Sequence, residues 1–332
     1  MLEILIIVII GLLLALVFDF GNGLNDAANA VSTIIATRGL TLRQAVIMSA
    51  VGNFIGAFIF GVAVATTVGK GLILPEVVNP YVIIAGLIGS IFWVYFTTYF
   101  GLPISASHSL IGGYVGSAIA AAGFKAVIFS GIMKVLVFIF IAPFLGLFVA
   151  FLFQLLVFHI FKKSDPSQVN KYFRKLQIVS ASVYSIGHGT NDAQKTMGIM
   201  AILLFSAGFL GKEFYVPFWV ILMSHASISL GTLAGGWKVI KTMGMRITKL
   251  QPVNGFCAET AGSSVVIGST VFGIPVSTTH VISGSIIGVG LARRTSAVRW
   301  GIARQIVWAW ILTIPVSAII GGLSFLVINQ LI

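Results

Sequence analysis

The chain has 332 residues, of which 58% are hydrophobic and 8% charged, with a net charge of +12; its mean hydropathy is +1.07. A soluble domain carries about 25% charged residues, so this composition excludes an ordinary soluble protein. The single cysteine, Cys257, excludes an intrachain disulfide and a multi-thiolate metal centre.

Apolar runs recur along the chain at about the 20-residue length that crosses a hydrocarbon core. The roughly ten-residue alternating segments of a membrane β-barrel are absent from the pattern. The charges fall in short loops between the runs, which makes the basic excess a matter of membrane orientation rather than of nucleic-acid binding. The expectation is an all-α polytopic membrane protein.

The first run covers residues 2–18. It lacks the basic start of a signal peptide, since its first charge is Glu3, and it is retained as a helix. Residues 21–30 then read GNGLNDAANA, with Asp19 just ahead of them. An ionised Asp at the centre of a spanning helix costs roughly 2.5–3.5 kcal/mol on insertion scales. Asp19, Asn22, Asn25 and Asp26 together therefore suggest a polar site. Further apolar runs cover residues 44–66 and 81–100, and the latter ends in GLPISASHS at residues 101–109. Residues 125–161, with Pro143 inside, are too long for one upright crossing at about 1.5 Å per residue. The polar stretch 162–175 (KKSDPSQVNKYFRK) has the composition of a solvated linker.

The pattern then restarts. Residues 176–206 surround GHGTNDAQKT, residues 214–236 form a span, and residues 252–272 lead into GIPVSTTH at residues 273–280. Gly187 to Ala193 repeats the GxGxNDA of Gly21 to Ala27 at an offset of 166. Gly101, Pro103, Ser105, His108, Gly112, Gly116 and Pro143 each recur 172 residues later. The reading is a duplication: an N-terminal transmembrane repeat (1–161), a cytoplasmic linker (162–175) and a C-terminal repeat (176–332). Three crossings and one re-entrant hairpin per repeat put fourteen of the twenty basic residues inside, with both termini outside. An odd number of crossings makes the second repeat inverted, an architecture of secondary transporters.

Two constellations could carry chemistry. Glycines let a helix unwind, so each GxGxNDA predicts a broken helix whose Asn and Asp oxygens suit Na⁺ or another hard cation. The plain alternative is hydrogen-bonded glue between helices. The motif is not a dinucleotide fingerprint, because it lacks the third glycine and a surrounding βαβ unit. The Gly-x-Pro turns place hydroxyl residues where new helices start, and a helix N-terminus is a ready anion site. Its plain alternative is two caps that only start two helices. His108 and His280 follow the hydroxyls, either as packing residues or as supports of the site. Glu259 is an unduplicated acid that could bind a cation, carry a proton, or pair with Lys195 or Arg304. Lys195, Lys134, Arg304 and Gln177 have an ordinary reading as snorkelling or paired residues near span ends.

These four motifs together resemble the PiT-type inorganic phosphate transporters over essentially the whole chain. The resemblance implies symport of inorganic phosphate and a lipid-embedded chain with no enzymatic activity and no organic cofactor. It assigns Na⁺ contacts to Asn25, Asp26, Asn191 and Asp192, to which Asn22 is added from its place in the first motif. It assigns phosphate contacts to Ser105, Ala106 and Ser107, and to Ser277, Thr278 and Thr279. His108, His280, Glu259 and Asp19 are candidates to support these ligands from behind.

The expected function is phosphate uptake across the plasma membrane, driven by co-transported Na⁺ through alternating access, in a chain that can pair as a homodimer. Other readings are H⁺-coupled transport of phosphate or of a metal–phosphate complex, transport of sulfate, and an anion channel. A membrane enzyme acting on phosphate groups is set aside, because no nucleophile–base pair stands out.

Overall fold

The structure is a computed structural model that describes residues 2–59 and 61–331. Twelve α-helices are described: α1 (Leu2–Ala36), α2 (Leu42–Ile55), α3 (Ala63–Lys70), α4 (Pro80–Phe100), α5 (Ala106–Ala122), α6 (Phe129–Ile160), α7 (Pro166–Ser206), α8 (Phe218–Ala234), α9 (Trp237–Lys241), α10 (Pro252–Val271), α11 (Thr278–Leu291) and α12 (Trp300–Leu331). Four of them, α1, α4, α6 and α12, are long and apolar enough to cross a membrane. The count rises to six when each of two bent helix pairs is taken as one span. The protein is a multi-pass helical membrane protein, as its composition predicts.

Local sequence sets the boundaries. Thr41 closes a capping box on α2, and Asn79 caps α4 ahead of Pro80, whose missing N–H is harmless in a first turn. Gly101 and Gly273 take left-handed backbone (φ 70° and 64°) and turn the chain out of α4 and α10. Ser105 and Ser277 then accept the backbone N–H of His108 and His280, both at 3.2 Å, and start α5 and α11. The two proline-turn motifs are therefore hairpin tips, as expected.

The broken helices lie elsewhere than the sequence suggests. Both GxGxNDA stretches are continuous helix, deep within α1 and α7. The glycines serve close approach instead of unwinding. A methyl group at Gly23 would sit 2.1 Å from the carbonyl oxygen of Ile228, and one at Gly189 would sit 2.4 Å from the Asn53 Cα. The breaks fall between α2 and α3, bent by 82°, and between α8 and α9, bent by 68°. On α7, Gln194 accepts the first N–H groups of α3, from Val64 at 2.9 Å and Ala65 at 3.3 Å.

The stretch 162–175 also differs from expectation. Asp165 caps α7 ahead of Pro166, so only residues 161–165 join α6 to α7 and the rest of the polar stretch is helix. The long run through Pro143 is the single helix α6.

The halves match in contacts as well as in sequence. Thr67 donates to the Gly273 carbonyl at 2.9 Å, and Thr242 donates to the Gly101 carbonyl at 3.0 Å. Each bent pair thereby holds the hairpin turn of the opposite half. Hairpin helix α5 packs along α12, and α11 packs along α6. Matched glycines allow both crossings: a methyl group at Gly116 would meet the Ala318 carbonyl oxygen at 2.1 Å, and one at Gly288 would meet that of Leu147 at 2.2 Å. The motif-bearing parts of α1 and α7 are buried at the centre. Outward-facing Phe140, Phe144 and Leu323 are more than half exposed on α6 and α12, an apolar surface suited to lipid.

Candidate functional site

Asp26 and Asp192 lie on α1 and α7 at the centre of the molecule, and the tip of the second hairpin sits between them. Thr278 donates to Asp192 Oδ2 at 2.7 Å and approaches Asp26 Oδ2 at 3.3 Å. Thr279 donates to Asp26 Oδ1 at 3.1 Å. Asn29, one turn beyond Asp26, donates to both threonine hydroxyls at 3.3 and 3.1 Å. Tyr184 donates to the Thr278 carbonyl at 3.0 Å.

The first hairpin reaches the same centre. Ser107 accepts from the Lys195 ammonium at 2.5 Å. Lys195 also donates to the Val276 carbonyl at 2.6 Å and to Asp192 Oδ1, so it joins both tips to α7. His108 and His280 meet edge to face with ring centroids 4.7 Å apart. Ser105, Ala106, Ser107, Ser277, Thr278 and Thr279 are all buried around this junction.

The two Asn-Asp pairs are placed alike. Asn25 donates to Thr98 at 2.8 Å and Asn191 to Thr270 at 2.7 Å. Thr98 and Thr270 end α4 and α10 and are themselves 172 residues apart. Each asparagine amide N–H is spent on its neighbour, and each carbonyl oxygen is left over. Asp19 Oδ2, Asn22 Oδ1, Asn25 Oδ1, Asn29 Oδ1 and Asn191 Oδ1 are buried with no hydrogen-bond partner among the described residues. A buried oxygen without a donor is unfavourable by about 1–3 kcal/mol. Carboxylate and amide oxygens also suit a hard cation, so this donor set fits Na⁺.

His188 lies between the acids, with Nε2 3.0 Å from Asp192 Oδ2 and 3.8 Å from Asp26 Oδ2. One ligand atom from each of Asp26, His188 and Asp192 falls within 4.8 Å of the others. Asn53 accepts at the other ring nitrogen of His188, at 2.9 Å, and donates to Thr232 at 2.8 Å.

Of the proposed supports, His108 and His280 stand at the tips. Asp19 accepts from Thr196 at 2.9 Å, behind the motif. Glu259 stands apart. It accepts from Thr33 at 2.5 Å, Gln177 at 2.9 Å and Ser180 at 2.5 Å. Thr33 is two helical turns, about 10 Å, along α1 from Asp26, and among the described residues Glu259 pairs with neither Lys195 nor Arg304. Lys195 does not snorkel; its side chain is 2% exposed.

Sequence alone does not mark Asn29, His188, Lys195, Thr98 and Thr270 as members of the site. The signal is there for three of them. At the motif offset of 166, His188 matches Asn22 and Lys195 matches Asn29.

Two hairpin tips and two acidic motifs thus converge inside a multi-pass helical protein. A family model described as the phosphate transporter family matches residues 22–167 and 159–321. The chain belongs to the phosphate transporter family. It is 53% identical over 318 residues to a "Probable low-affinity inorganic phosphate transporter" of Rhizobium meliloti, covering 96% of this chain and 95% of the relative. It is 42% identical over 334 residues to a protein of the same description from Bacillus subtilis, covering 98% of both. A solved structure titled "The sodium-dependent phosphate transporter" superposes with a TM-score of 0.89 at 27% identity, covering 98% of this chain and 100% of that one.

Proposed function

We propose that this chain is a secondary active symporter of inorganic phosphate, driven by the Na⁺ gradient through alternating access. One observation carries the reading: the hydroxyls of the second hairpin tip donate to both motif aspartates, and Lys195 ties Ser107 of the first tip to Asp192, beside buried oxygens that have no donor. The solved sodium-dependent relative supports the choice of ion. Asp26, Asn22 and Asn25, with Asp192 and Asn191, hold Na⁺. Ser107, Thr278 and Thr279 hold phosphate, together with the first N–H groups of α5 and α11 at Ala106 and Thr278; Ser105 and Ser277 cap those helices. A phosphate dianion beside two carboxylates is strongly disfavoured at low dielectric, so Na⁺ and phosphate bind cooperatively, each raising the affinity of the other.

In the same reading, residues 1–161 and 176–332 are inverted repeats, with the stretch 162–175 in the cytoplasm and both termini outside.

Phosphate uptake into proteoliposomes tests this. Uptake against a concentration gradient, driven by inward Na⁺, is expected, and Asp26→Asn should abolish the Na⁺ dependence. Uptake that follows a pH gradient and ignores Na⁺ selects proton coupling instead. Phosphate that only runs downhill identifies a channel.

A further inference from the structure

The central helices of the two halves differ at a position that touches the hairpin tips. Asp26 matches Asp192 and Asn25 matches Asn191, but Asn29 on α1 is matched on α7 by Lys195. The matched contacts keep the register. Asn29 reaches Thr279 at 3.1 Å, and Lys195 reaches Ser107, the counterpart of Thr279, at 2.5 Å.

With Ser185 in place of Asp19 and His188 in place of Asn22, this difference changes the electrostatics of the second half. Along α1, four buried oxygens are without a donor: Asp19 Oδ2, Asn22 Oδ1, Asn25 Oδ1 and Asn29 Oδ1. In the matched stretch 185–195, Asn191 Oδ1 is the one such oxygen among the described residues. Around Lys195, three oxygens from separate parts of the chain surround a single positive charge: Asp192 Oδ1, Ser107 Oγ and the Val276 carbonyl. An ammonium has three N–H donors and no acceptor, so all three are engaged. Carboxylate, hydroxyl and carbonyl oxygens are also the donors that suit a hard metal cation.

We propose that Lys195 is a tethered cation: its ammonium takes the cation position of the second half, while the matching position of the first half is filled by a free ion. Asp192 is then neutralised by the chain itself, and Asp26 by the co-transported ion. The cycle carries one free cation fewer per phosphate than a carrier with two open positions. The inference rests on the first-half Na⁺ site and the phosphate site proposed above, and puts the Lys195 ammonium in place of Na⁺ at Asp192.

The test is Lys195→Asn, which restores the residue of the first half. In proteoliposomes, the ratio of Na⁺ to phosphate taken up should rise by one, with a steeper dependence of uptake on Na⁺. An unchanged ratio overturns the proposal. Should the variant not transport, the melting temperature of the purified protein against Na⁺ concentration decides, because a ligand stabilises in proportion to its binding equivalents. Lys195→Asn should respond more steeply than the native protein, and Lys195→Met should not; equal responses overturn the proposal. A native protein indifferent to Na⁺ in both assays defeats the symport reading alone. Lys195 as tethered cation then stands if Lys195→Asn gains a Na⁺ response, and falls if it does not.

Discussion

Trp310 lies flat on His280, with ring centroids 3.8 Å apart, and its indole N–H donates to the Pro103 carbonyl at 3.1 Å. One side chain of α12 thus touches both hairpins, just behind their tips. Trp310→Phe keeps the stacking and loses the hydrogen bond, a loss of about 0.5–1.5 kcal/mol. Trp310→Ala also empties the space between the tips and should destabilise by about 3–5 kcal/mol. Thermal unfolding in detergent measures both, and phosphate affinity should fall in the same order.

The Asn25–Thr98 and Asn191–Thr270 bonds can be tested as pairs. Asn25→Ala and Thr98→Val, made singly and together, should be non-additive by about 0.5–1.5 kcal/mol. The Asn191 and Thr270 pair should give a similar coupling, because its geometry is the same. Additive effects would show that these asparagines are not held by the helix ends of α4 and α10.

Glycines at the α1–α8 crossing should be intolerant. A methyl group at Gly231 would lie 2.0 Å from the Phe20 carbonyl oxygen, and one at Gly23 would lie 2.1 Å from that of Ile228. Overpacking of this kind costs typically about 1–3 kcal/mol, and Gly23→Ala or Gly231→Ala should lose monodisperse protein on size exclusion. A methyl group at Gly268, in α10, would have nothing within 4 Å of it. Gly268→Ala should be neutral or stabilising by up to about 1 kcal/mol.

Glu259 is expected to hold helices together and not to bind cargo. Glu259→Leu leaves Thr33, Gln177 and Ser180 with donors aimed at an apolar group, at about 1–3 kcal/mol for each unsatisfied donor. Glu259→Gln keeps one acceptor and lets hydroxyls turn, so its loss should be far smaller. Phosphate and Na⁺ affinities measured on Glu259→Gln should stay close to native. A selective loss of ion coupling would make Glu259 part of the transport path.

Much of this is legible in the sequence, for identifiable reasons. The hairpins are readable because Gly101 and Gly273 need left-handed backbone and Ser105 and Ser277 are good caps. The site is readable because an acid inside an apolar run is costly. The continuity of α1 and α7 is hidden, since glycines that admit a neighbouring backbone look like glycines that break a helix. The bend that follows α2 carries little local signal, and the N–H groups freed there are answered by Gln194, far away in sequence, whereas the bend after α8 is marked by Gly235-Gly236, with Gly235 at φ 62°. The helical start of α7 is written in Asp165 and Pro166 but masked by the polarity around them. Lys195 misleads because lysines near apolar runs mostly reach for water; what keeps this one inside is two oxygens from distant segments, on Ser107 and Val276, with Asp192 one turn away on its own helix.

The crossed packing of the hairpins bears on how such a chain could arise. Since α5 rests on α12 and α11 on α6, neither half encloses its own hairpin. A single-repeat ancestor would have exposed a glycine-lined helix face with nothing to cover it, unless a second copy supplied the missing wall. Each half therefore supplies a wall for the other's hairpin, and the short 161–165 joint keeps the two on one strand. Two fragments cut at that joint and produced in the same cell should find each other again, whereas either alone should be degraded.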